Sequence, residues 1–310
     1  MKRLQIGKLI NNRSIKPLIS LPLFFLCLIV LNQVAAQSID SIRQTDITFT
    51  SEGVTLAGTL FSPTHPQAAI VLVHGSGQEK RMNGFAERLA NHGITVFTYD
   101  KRGVGESGGI YAGPEVGTNN VDSANLSLLA KDASAAVNKL HELAEDLPIG
   151  LVGSSQAGWI IPIAATLNPS VDFMVLFSGP TITSLEQLRF QFHTNGDPNY
   201  WENHSEAVSR EHIKNDSDRF QFTPTDPKHS LTDLAIPGLW LYGAKDIQVP
   251  AQLCIEQLNR LKGEGKSYDY QLYPNLGHNT ASARDETPVE DAMLWINQRA
   301  LEYKKSSKSN

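Results

Sequence analysis

The sequence predicts an α/β protein with a mostly parallel sheet, helices on both faces and a short inserted lid. Runs of consecutive apolar residues, typical of strands buried on both sides, alternate with longer segments of helical periodicity. Parallel strands need crossover connections, and these helical segments supply them. A polar, aromatic stretch at residues 182–232 interrupts the alternation and is too long for an ordinary loop. Its aromatic residues favour a folded lid over a disordered excursion.

The predicted elements follow in chain order. The first two strands are short alternating runs joined by Ser51-Glu52-Gly53, which predicts a β-hairpin. The predicted strands are Ile47–Thr50, Val54–Phe61, Ala68–Val73, Ile94–Tyr99, Ile149–Val152, Phe173–Phe177, Leu239–Tyr242 and Tyr268–Tyr273. The predicted helices are Gly84–His92, Ala124–Leu143, Gln156–Leu167, Ala251–Leu261 and Pro288–Tyr303. The lysine- and serine-rich end, residues 304–310, is expected to be a frayed, solvated tail.

The composition is that of a folded chain large enough to bury a sizeable core. Of its 310 residues, 41% are hydrophobic and 19% are charged. These values exclude a disordered or collagen-like chain and a multi-span membrane protein. The two cysteines, Cys27 and Cys254, exclude a disulfide framework and a cysteine-based zinc site.

Residues 1–36 have the layout of a secretory signal peptide. Five basic and no acidic residues precede an apolar run from Pro17 to Leu31, and Val34-Ala35-Ala36 suits a cleavage site. The apolar run is shorter than the roughly 20 residues that span a bilayer, so cleavage near Ala36 is favoured over an anchor helix. We therefore expect a mature domain of residues 37–310 that is periplasmic or secreted, with no stable membrane anchor. Cleavage lowers the formal charge from −5 to −10, which disfavours nucleic acid as a partner.

Two serines compete as a candidate nucleophile. Ser107 fits the literal pattern G-x-S-x-G, whereas Ser155 in Gly153-Ser154-Ser155-Gln156-Ala157 has alanine at the last position. A nucleophilic serine needs a sharp strand-to-helix turn, which exposes its hydroxyl and aims helix amides at the developing anion. A predicted strand leads directly into Ser155 and a helix follows, but Ser107 stands in a glycine-rich loop. The context favours Ser155, for which the alternative role is a helix N-cap.

The same loop contains a formal dinucleotide-binding motif, Gly103-Val104-Gly105-Glu106-Ser107-Gly108. This motif binds a pyrophosphate where it opens a helix directly, but here Gly109 and Pro114 follow it. We therefore expect these glycines to permit tight packing and do not expect NAD to bind.

An acid and then a histidine should follow the serine in a chain of this architecture. Asp246 follows the strand that ends at Tyr242, and His278, the only histidine after Asp246, follows the last strand. Because parallel strands end at one edge of a sheet, we expect Ser155, Asp246 and His278 to meet there. His278 would be the general base and Asp246 would hold its tautomer. Taken singly, His278 could be a loop histidine and Asp246 a turn carboxylate.

An acyl-transfer serine also needs N–H donors for the oxyanion. The backbone N–H of Gln156 is one expected donor, because it follows the nucleophile. The other is expected from His74-Gly75-Ser76-Gly77, after the first buried strand, with Ser76 preferred and Gly77 second. His74 precedes the candidate base, His278, in the sequence and is expected to support this loop.

Five motifs together resemble a known superfamily. They are HGSG (74–77), YDKRGVGESGG (99–109), GSSQAGWI (153–160), GAKDIQVP (243–250) and GH (277–278). Over about residues 45–304 the chain resembles the α/β-hydrolase superfamily, in particular exported esterases and S33-type serine aminopeptidases with a short cap. The resemblance implies nucleophile Ser155, acid Asp246 and base His278, with no metal or organic cofactor. Ala157 replaces the glycine of many relatives, which bears on rate or acyl-chain fit.

These features predict an exported serine hydrolase that cleaves carboxylic esters of small to medium acyl groups through an acyl-enzyme. The partner expected is a small-molecule ester or amide. One alternative is an aminopeptidase or amidase, and another is a non-catalytic ligand-binding homologue. Acyl-CoA thioesterase activity is disfavoured by export, because its substrate is intracellular.

Two features of the lid bear on the substrate. Binding of a substrate ammonium would need an acidic group, for which Glu186, Glu202 and Glu206 are candidates, although solvated helix faces are the simpler interpretation. Four aromatic residues either line an apolar acyl pocket or form the lid's own core: Phe190, Phe192, Trp201 and Phe220.

Overall fold

Eight strands form one sheet at the centre of the protein. They are β1 (Arg43–Ser51), β2 (Val54–Ser62), β3 (Ala68–Val73), β4 (Ile94–Tyr99), β5 (Ile149–Ser154), β6 (Phe173–Phe177), β7 (Gly238–Gly243) and β8 (Tyr268–Tyr273). Their order across the sheet is β1-β2-β4-β3-β5-β6-β7-β8. The structure is a computed structural model that describes residues 41–113, 118–217 and 222–307. The predicted signal peptide therefore lies outside the described residues.

One strand, β2, runs antiparallel to the other seven strands of the sheet. β1 and β2 form the predicted hairpin, in which Ser51 pairs with Val54, and β2 pairs antiparallel with β4. All later neighbours, from β4 through β3 and β5 to β8, pair in parallel. The predicted mostly parallel sheet is confirmed, and its parallel strands direct their carboxyl ends to one edge.

Ten helices in the described part of the chain surround this sheet. They are α1 (Asn83–Ala90), α2 (Thr118–Val121), α3 (Ser123–Leu143), α4 (Ala157–Leu167), α5 (Ser184–Thr194), α6 (Tyr200–Asn203), α7 (Glu206–Asn215), α8 (Pro227–Asp233), α9 (Ala251–Gly263) and α10 (Thr287–Ser307).

Helices cover both faces of the sheet, as predicted. On β3, Ala69, Val71 and Val73 belong to a core shared with α3, α4 and α9, whereas the alternate residues face a second core with α1 and α10. This alternation follows from the two-residue period of a strand, which sends successive side chains to opposite faces. Because both faces are buried, every residue of β3 is apolar.

The chain between β6 and β7 carries α5 to α8 and has a small core of its own. Phe190, Tyr200 and Ile213 form this core, and Trp201 packs against it. Phe192 is 41% exposed, and Phe220 lies outside the described residues. Of the two interpretations of the lid aromatics, the structure therefore supports an internal core for Phe190 and Trp201.

The carboxyl-terminal segment differs from the frayed tail expected from the sequence. α10 continues through Ser307, so residues 304–307 are helical and that expectation was wrong for them. Lys304 Nζ donates to Gln67 Oε1 at 2.8 Å, which ties the last turn to the body of the protein. Lys304 and Lys305 also place positive charge at the negative end of the helix dipole, which favours helix over coil.

None of the helices in the described ranges has the length and apolarity required to cross a bilayer.

Candidate active site

Ser155 stands on a sharp turn between β5 and α4. Its φ of 53° lies in the left-handed region, which is unusual for a residue with a side chain and costs on the order of 1 kcal/mol. The turn is held because Ser155 N donates to Phe177 O at 3.0 Å and Gly158 N donates to Ser155 O at 2.8 Å. Ser155 lines a cavity rather than the protein core. A strained strand-to-helix turn of this kind presents a serine hydroxyl at the sheet edge.

Close packing of the turn explains the residues on either side of Ser155. A Cβ on Gly153 would lie 2.5 Å from Ala157 Cβ and 2.6 Å from Val73 O, so only glycine fits there. The methyl group of Ala157 occupies the space that a side chain at position 153 would need. The alanine that departs from the literal pattern is thus accommodated by the glycine two residues before Ser155.

Asp246 and His278 form a hydrogen-bonded pair at the ends of β7 and β8. His278 Nδ1 lies 2.8 Å from Asp246 Oδ2. The other carboxylate oxygen, Oδ1, accepts from Gln248 N at 2.7 Å and Val249 N at 2.8 Å. Asp246 is 1% exposed. Its burial and these three hydrogen bonds together fix the orientation of the carboxylate. With Nδ1 engaged by Asp246, His278 Nε2 is left for proton transfer.

The structure brings the predicted residues together around two adjoining cavities. Ser155, Ser76 and His278 line one cavity of about 210 Å³. Ser155 and Ser76 also line a second cavity of about 210 Å³ beneath α5, with Gln187 among its walls. Since Asp246 is bonded to His278, the three residues that strand order predicted lie at one site.

Two backbone N–H groups are available at this site. Within the described residues, neither Ser76 N nor Gln156 N donates to a protein acceptor. Gln156 directly follows Ser155 and has helical backbone angles, φ −49° and ψ −28°, at the start of α4. Unpaired N–H groups beside a cavity can bind an anionic oxygen, which is the role predicted for these two residues.

Ser107, the competing serine, has a structural role. It is 8% exposed, and its hydroxyl donates to Asp100 O at 2.6 Å and accepts from Ala57 N at 3.0 Å. The hydroxyl therefore joins the glycine-rich loop to β2 and does not line the cavities around Ser155.

The glycine-rich loop folds tightly on itself. Gly105 has a φ of 58°, and a Cβ there would lie 2.5 Å from Asp100 Oδ2. That carboxylate accepts from Glu106 N at 2.9 Å and is bridged by Arg81 at 2.8 Å. Arg102 forms a buried ion pair with Asp132 of α3. The glycines of the formal dinucleotide motif thus serve packing.

His74 supports the loop that carries Ser76. It is 2% exposed, and its ring meets the edge of Tyr99 with centroids 4.8 Å apart. Burial, with a further contribution from the Lys101 cation, lowers the pKa of His74 from 6.5 to about 3. His74 is therefore a neutral packing residue, which agrees with the supporting role predicted for it.

We expect His74 to make the protein less stable in acid. The His74 side chain takes up a proton near pH 6.5 in the unfolded chain but only near pH 3 in the folded protein. Its contribution to the free energy of unfolding is therefore fully present above pH 6.5 and falls as the pH decreases between these values. The predicted slope is about 1.4 kcal/mol per pH unit, or about 2 kcal/mol between pH 7.5 and 5.0. Urea unfolding at these two pH values measures it. His74→Asn should remove this contribution and the exposed His92→Asn should retain it, and an unchanged pH dependence in His74→Asn would contradict the prediction.

Several residues at the site carry no motif in the sequence. Glu79 lines the cavity of Ser155 and His278, and its Oε2 accepts from Gly75 N at 3.1 Å. Gln187 Nε2 of α5 donates to Gln248 O at 2.8 Å, and Trp201 Nε1 donates to Asp246 O at 2.7 Å. The contacts of Gln187 and Trp201 join residues far apart in the chain, and the contact of Gly75 with Glu79 spans four residues that form no recognisable motif.

Two of the three candidate acidic residues of the lid bind other groups of the lid. Glu186 caps α5 by accepting from Thr183 N at 2.9 Å, and Glu206 pairs with Arg210 at 3.0 Å. Glu202 is exposed on α6. None of the three lines the cavities around Ser155.

Comparisons with known proteins agree with this architecture. Residues 64–195 match the family model described as serine aminopeptidase, S33. No curated protein matches the sequence at a significant level. An esterase from Pyrococcus furiosus is 18% identical with a TM-score of 0.59, covering 84% of this chain and 91% of that one. A carboxyl esterase from Bacillus coagulans is 16% identical with a TM-score of 0.60, covering 84% and 100%. An acylaminoacyl peptidase from Pyrococcus horikoshii is 16% identical with a TM-score of 0.58, covering 84% of this chain and 41% of that one.

The fold defined by this sheet and its helices is the α/β-hydrolase fold. The chain resembles the α/β-hydrolase superfamily, as its motifs indicated, and residues 64–195 match a family of hydrolases.

Proposed function

We propose that this protein is a serine hydrolase that cleaves carboxylic esters of small to medium acyl groups through an acyl-enzyme on Ser155. The observation that carries the proposal is the arrangement of Ser155 on a strained turn in the same cavity as His278, whose Nδ1 is bonded to buried Asp246. A serine and an imidazole in one cavity, with a carboxylate bonded to the imidazole, are the groups that nucleophilic acyl transfer requires.

Each group has a defined step in the proposed cycle. Ser155 Oγ attacks the ester carbonyl carbon while His278 Nε2 takes the hydroxyl proton, and the N–H groups of Ser76 and Gln156 bind the oxyanion. The bond to the alcohol then breaks, and the alcohol leaves with the proton from His278. Water, deprotonated by His278, attacks the acyl-enzyme, and collapse of the second intermediate releases the acid and restores Ser155. Asp246 stabilises the imidazolium through its bond to Nδ1.

The cavities favour compact substrates. Each of the two cavities that open on Ser155 holds about 210 Å³, with the polar amide of Gln187 in the wall of the one beneath α5. Volumes of this size suit short acyl and alcohol groups better than long lipid chains.

A fluorophosphonate probe tests the activated nucleophile directly. We expect covalent labelling of the purified protein at a single serine, with peptide mapping placing the adduct on Ser155. Ser155→Ala should abolish labelling, and Ser107→Ala should retain it. Absence of labelling on folded protein would reject the proposal and favour a non-catalytic binding role, and an adduct on Ser107 would reject the assignment of the site.

An aminopeptidase or amidase is the second candidate. It is favoured by the family match over residues 64–195 and by Glu79, whose carboxylate stands in the cavity of Ser155 and could bind a substrate ammonium. Comparing p-nitrophenyl butyrate with an aminoacyl p-nitroanilide separates the two activities. Faster turnover of the amide, lost in Glu79→Gln while ester cleavage persists, would replace the esterase proposal by this one.

We also propose that residues 1–36 direct export and are removed near Ala36, leaving an extracytoplasmic hydrolase of residues 37–310 with residues 182–232 as its lid. The basic start, short apolar run and small residues at the cleavage site support this proposal. Determination of the amino-terminal sequence of the protein purified from its native host tests it, with a start near Gln37 expected.

A further inference from the structure

Lys101 is a buried cation directly behind the proposed oxyanion site. It follows β4, is 2% exposed and reaches the loop after β3. Lys101 Nζ donates to the carbonyl oxygens of Gly75 and Gly77, the second at 3.0 Å, and lies 3.3 Å from Gln156 Oε1. A single ammonium group therefore contacts both segments that supply the proposed oxyanion donors.

The bond from Lys101 to Gly75 O fixes the direction of the Ser76 N–H. Gly75 C=O and Ser76 N–H belong to one planar trans peptide unit, in which the two groups point in opposite directions. Because Lys101 draws the carbonyl toward the protein interior, the N–H must face away from Lys101. Ser76 lines the cavity with Ser155, so this is the side on which an oxyanion would form. Rotation of that peptide would break the bond to Lys101 and point the carbonyl oxygen at the oxyanion.

The loop is held from both of its ends. Gly75 N donates to Glu79 Oε2 at 3.1 Å, and Gly77 O accepts from Lys101. Ser76 therefore lies between two anchored glycines.

The second donor is tied to the same ammonium through a side chain. Gln156 Oε1 accepts from Lys101, and Gln156 Nε2 donates to Asn120 O at 2.9 Å and Asn120 Oδ1 at 2.8 Å. Gln156 is 1% exposed, so its buried amide has partners on both of its ends. This network fixes the residue whose backbone N–H is the other proposed oxyanion donor.

The charge of Lys101 adds to its geometric effect. A cation bonded to a peptide oxygen polarises the peptide unit and strengthens the hydrogen bond that its N–H donates. Positive charge in a buried site also favours negative charge that develops nearby, because solvent screening is weak there. Both effects act on the tetrahedral intermediate and leave the uncharged ester largely unaffected.

We propose that Lys101 is a positioning residue that holds Ser76 and Gln156 in register as oxyanion donors and strengthens their hydrogen bonds to the transition state. The proposal rests on the proposed serine hydrolase function. It predicts a loss in kcat and in affinity for transition-state mimics, with little change in KM.

Lys101→Met tests this role because it keeps the length of the side chain and removes the donor and the charge. The rate per active site is obtained by dividing turnover of p-nitrophenyl butyrate by the end-point labelling with fluorophosphonate. We expect kcat per labelled site to fall by about 100-fold, the effect of losing one oxyanion donor, with KM within about threefold of wild type. Inhibition by a trifluoromethyl ketone, which forms a hemiketal on the serine, should weaken in parallel. Lys131→Met, at an exposed lysine paired with Glu52, is the matched control and should behave as wild type.

The outcomes separate this proposal from the function on which it rests. A wild-type protein that neither labels nor turns over an ester rejects the serine hydrolase, whatever Lys101 does. An active wild type with unchanged kcat per labelled site and unchanged ketone inhibition in Lys101→Met overturns the role of Lys101, since a merely structural residue lowers stability or the labelled fraction only. If Lys101→Met does not fold, Gln156→Met is measured in the same assays to test the role of Lys101. That variant removes one acceptor of Lys101, so about a tenfold loss in kcat supports the proposal and an unchanged kcat overturns it.

Discussion

Ser155→Ala is expected to lower kcat for p-nitrophenyl butyrate by about 10⁴ to 10⁶-fold, the largest effect of any single substitution. The variant lacks the oxygen that forms the acyl-enzyme, and the remaining groups can only orient water or bind the oxyanion. Its stability should be close to that of the wild type, because Ser155 is only half-buried and alanine leaves the backbone strain at φ 53° unchanged. Steady-state kinetics on folded protein, verified by circular dichroism, provide the measurement.

Ser107→Ala is the matched control for this prediction. It leaves Ala57 N without its acceptor at 3.0 Å and should cost about 1–3 kcal/mol of stability. We expect its kcat to stay within about threefold of wild type, since its hydroxyl does not reach the cavities around Ser155. The opposite pattern, activity retained in Ser155→Ala and lost in Ser107→Ala, would move the site to the glycine-rich loop.

Asp246→Asn is expected to reduce kcat by about 10⁴-fold while KM changes little. Asparagine keeps the shape of the side chain, but its amide group no longer holds the Nδ1 proton of His278 or balances the charge of the imidazolium. His278 would then present a protonated Nε2 to Ser155 and could not accept the hydroxyl proton. The pH dependence of kcat and kcat/KM, compared with wild type, distinguishes loss of the base from loss of substrate binding.

Asp172→Asn provides a control for this substitution. Asp172 Oδ2 accepts from Ile149 N at 2.8 Å at the start of β5, far in the fold from the carboxyl edge of the sheet. Burial raises the pKa of this carboxyl group, and the amide oxygen of asparagine can accept the same bond. A loss of activity in Asp172→Asn as large as in Asp246→Asn would show a general effect of buried carboxylates and contradict the specific role of Asp246.

The sequence permits prediction of those features that depend on strand order. Apolar runs and their alternation with helical segments gave the parallel sheet, because burial on both faces leaves a periodic signal in the chain. Ser155, Asp246 and His278 could be selected since each follows a different predicted strand and parallel strands end at one edge. The preference for Ser155 over Ser107 also depends on this context, because the literal motif fits Ser107, which does not line the cavities around Ser155.

Other features depend on contacts that leave no local pattern. Lys101 reads as one more charged residue before a glycine-rich loop, and its burial beside Gly75 becomes visible only when β3 and β4 are paired in space. Lys304 looks like part of a solvated tail because its partner Gln67 is distant in the sequence. Glu79 likewise carries no motif, although it lines the cavity of Ser155.

The hydrogen bonds from Trp201 to Asp246 O and from Gln187 to Gln248 O join the lid to the loop that holds the acid. The lid and this loop consequently have to be exchanged together if both hydrogen bonds are to be kept. A chimera that receives the lid of another protein of this fold loses both bonds unless residues 246–249 are transferred with it, and Asp246 is then left on a loop with fewer supports. An exchange of the lid in this chain should therefore place its boundary after Val249, so that both bonds are kept.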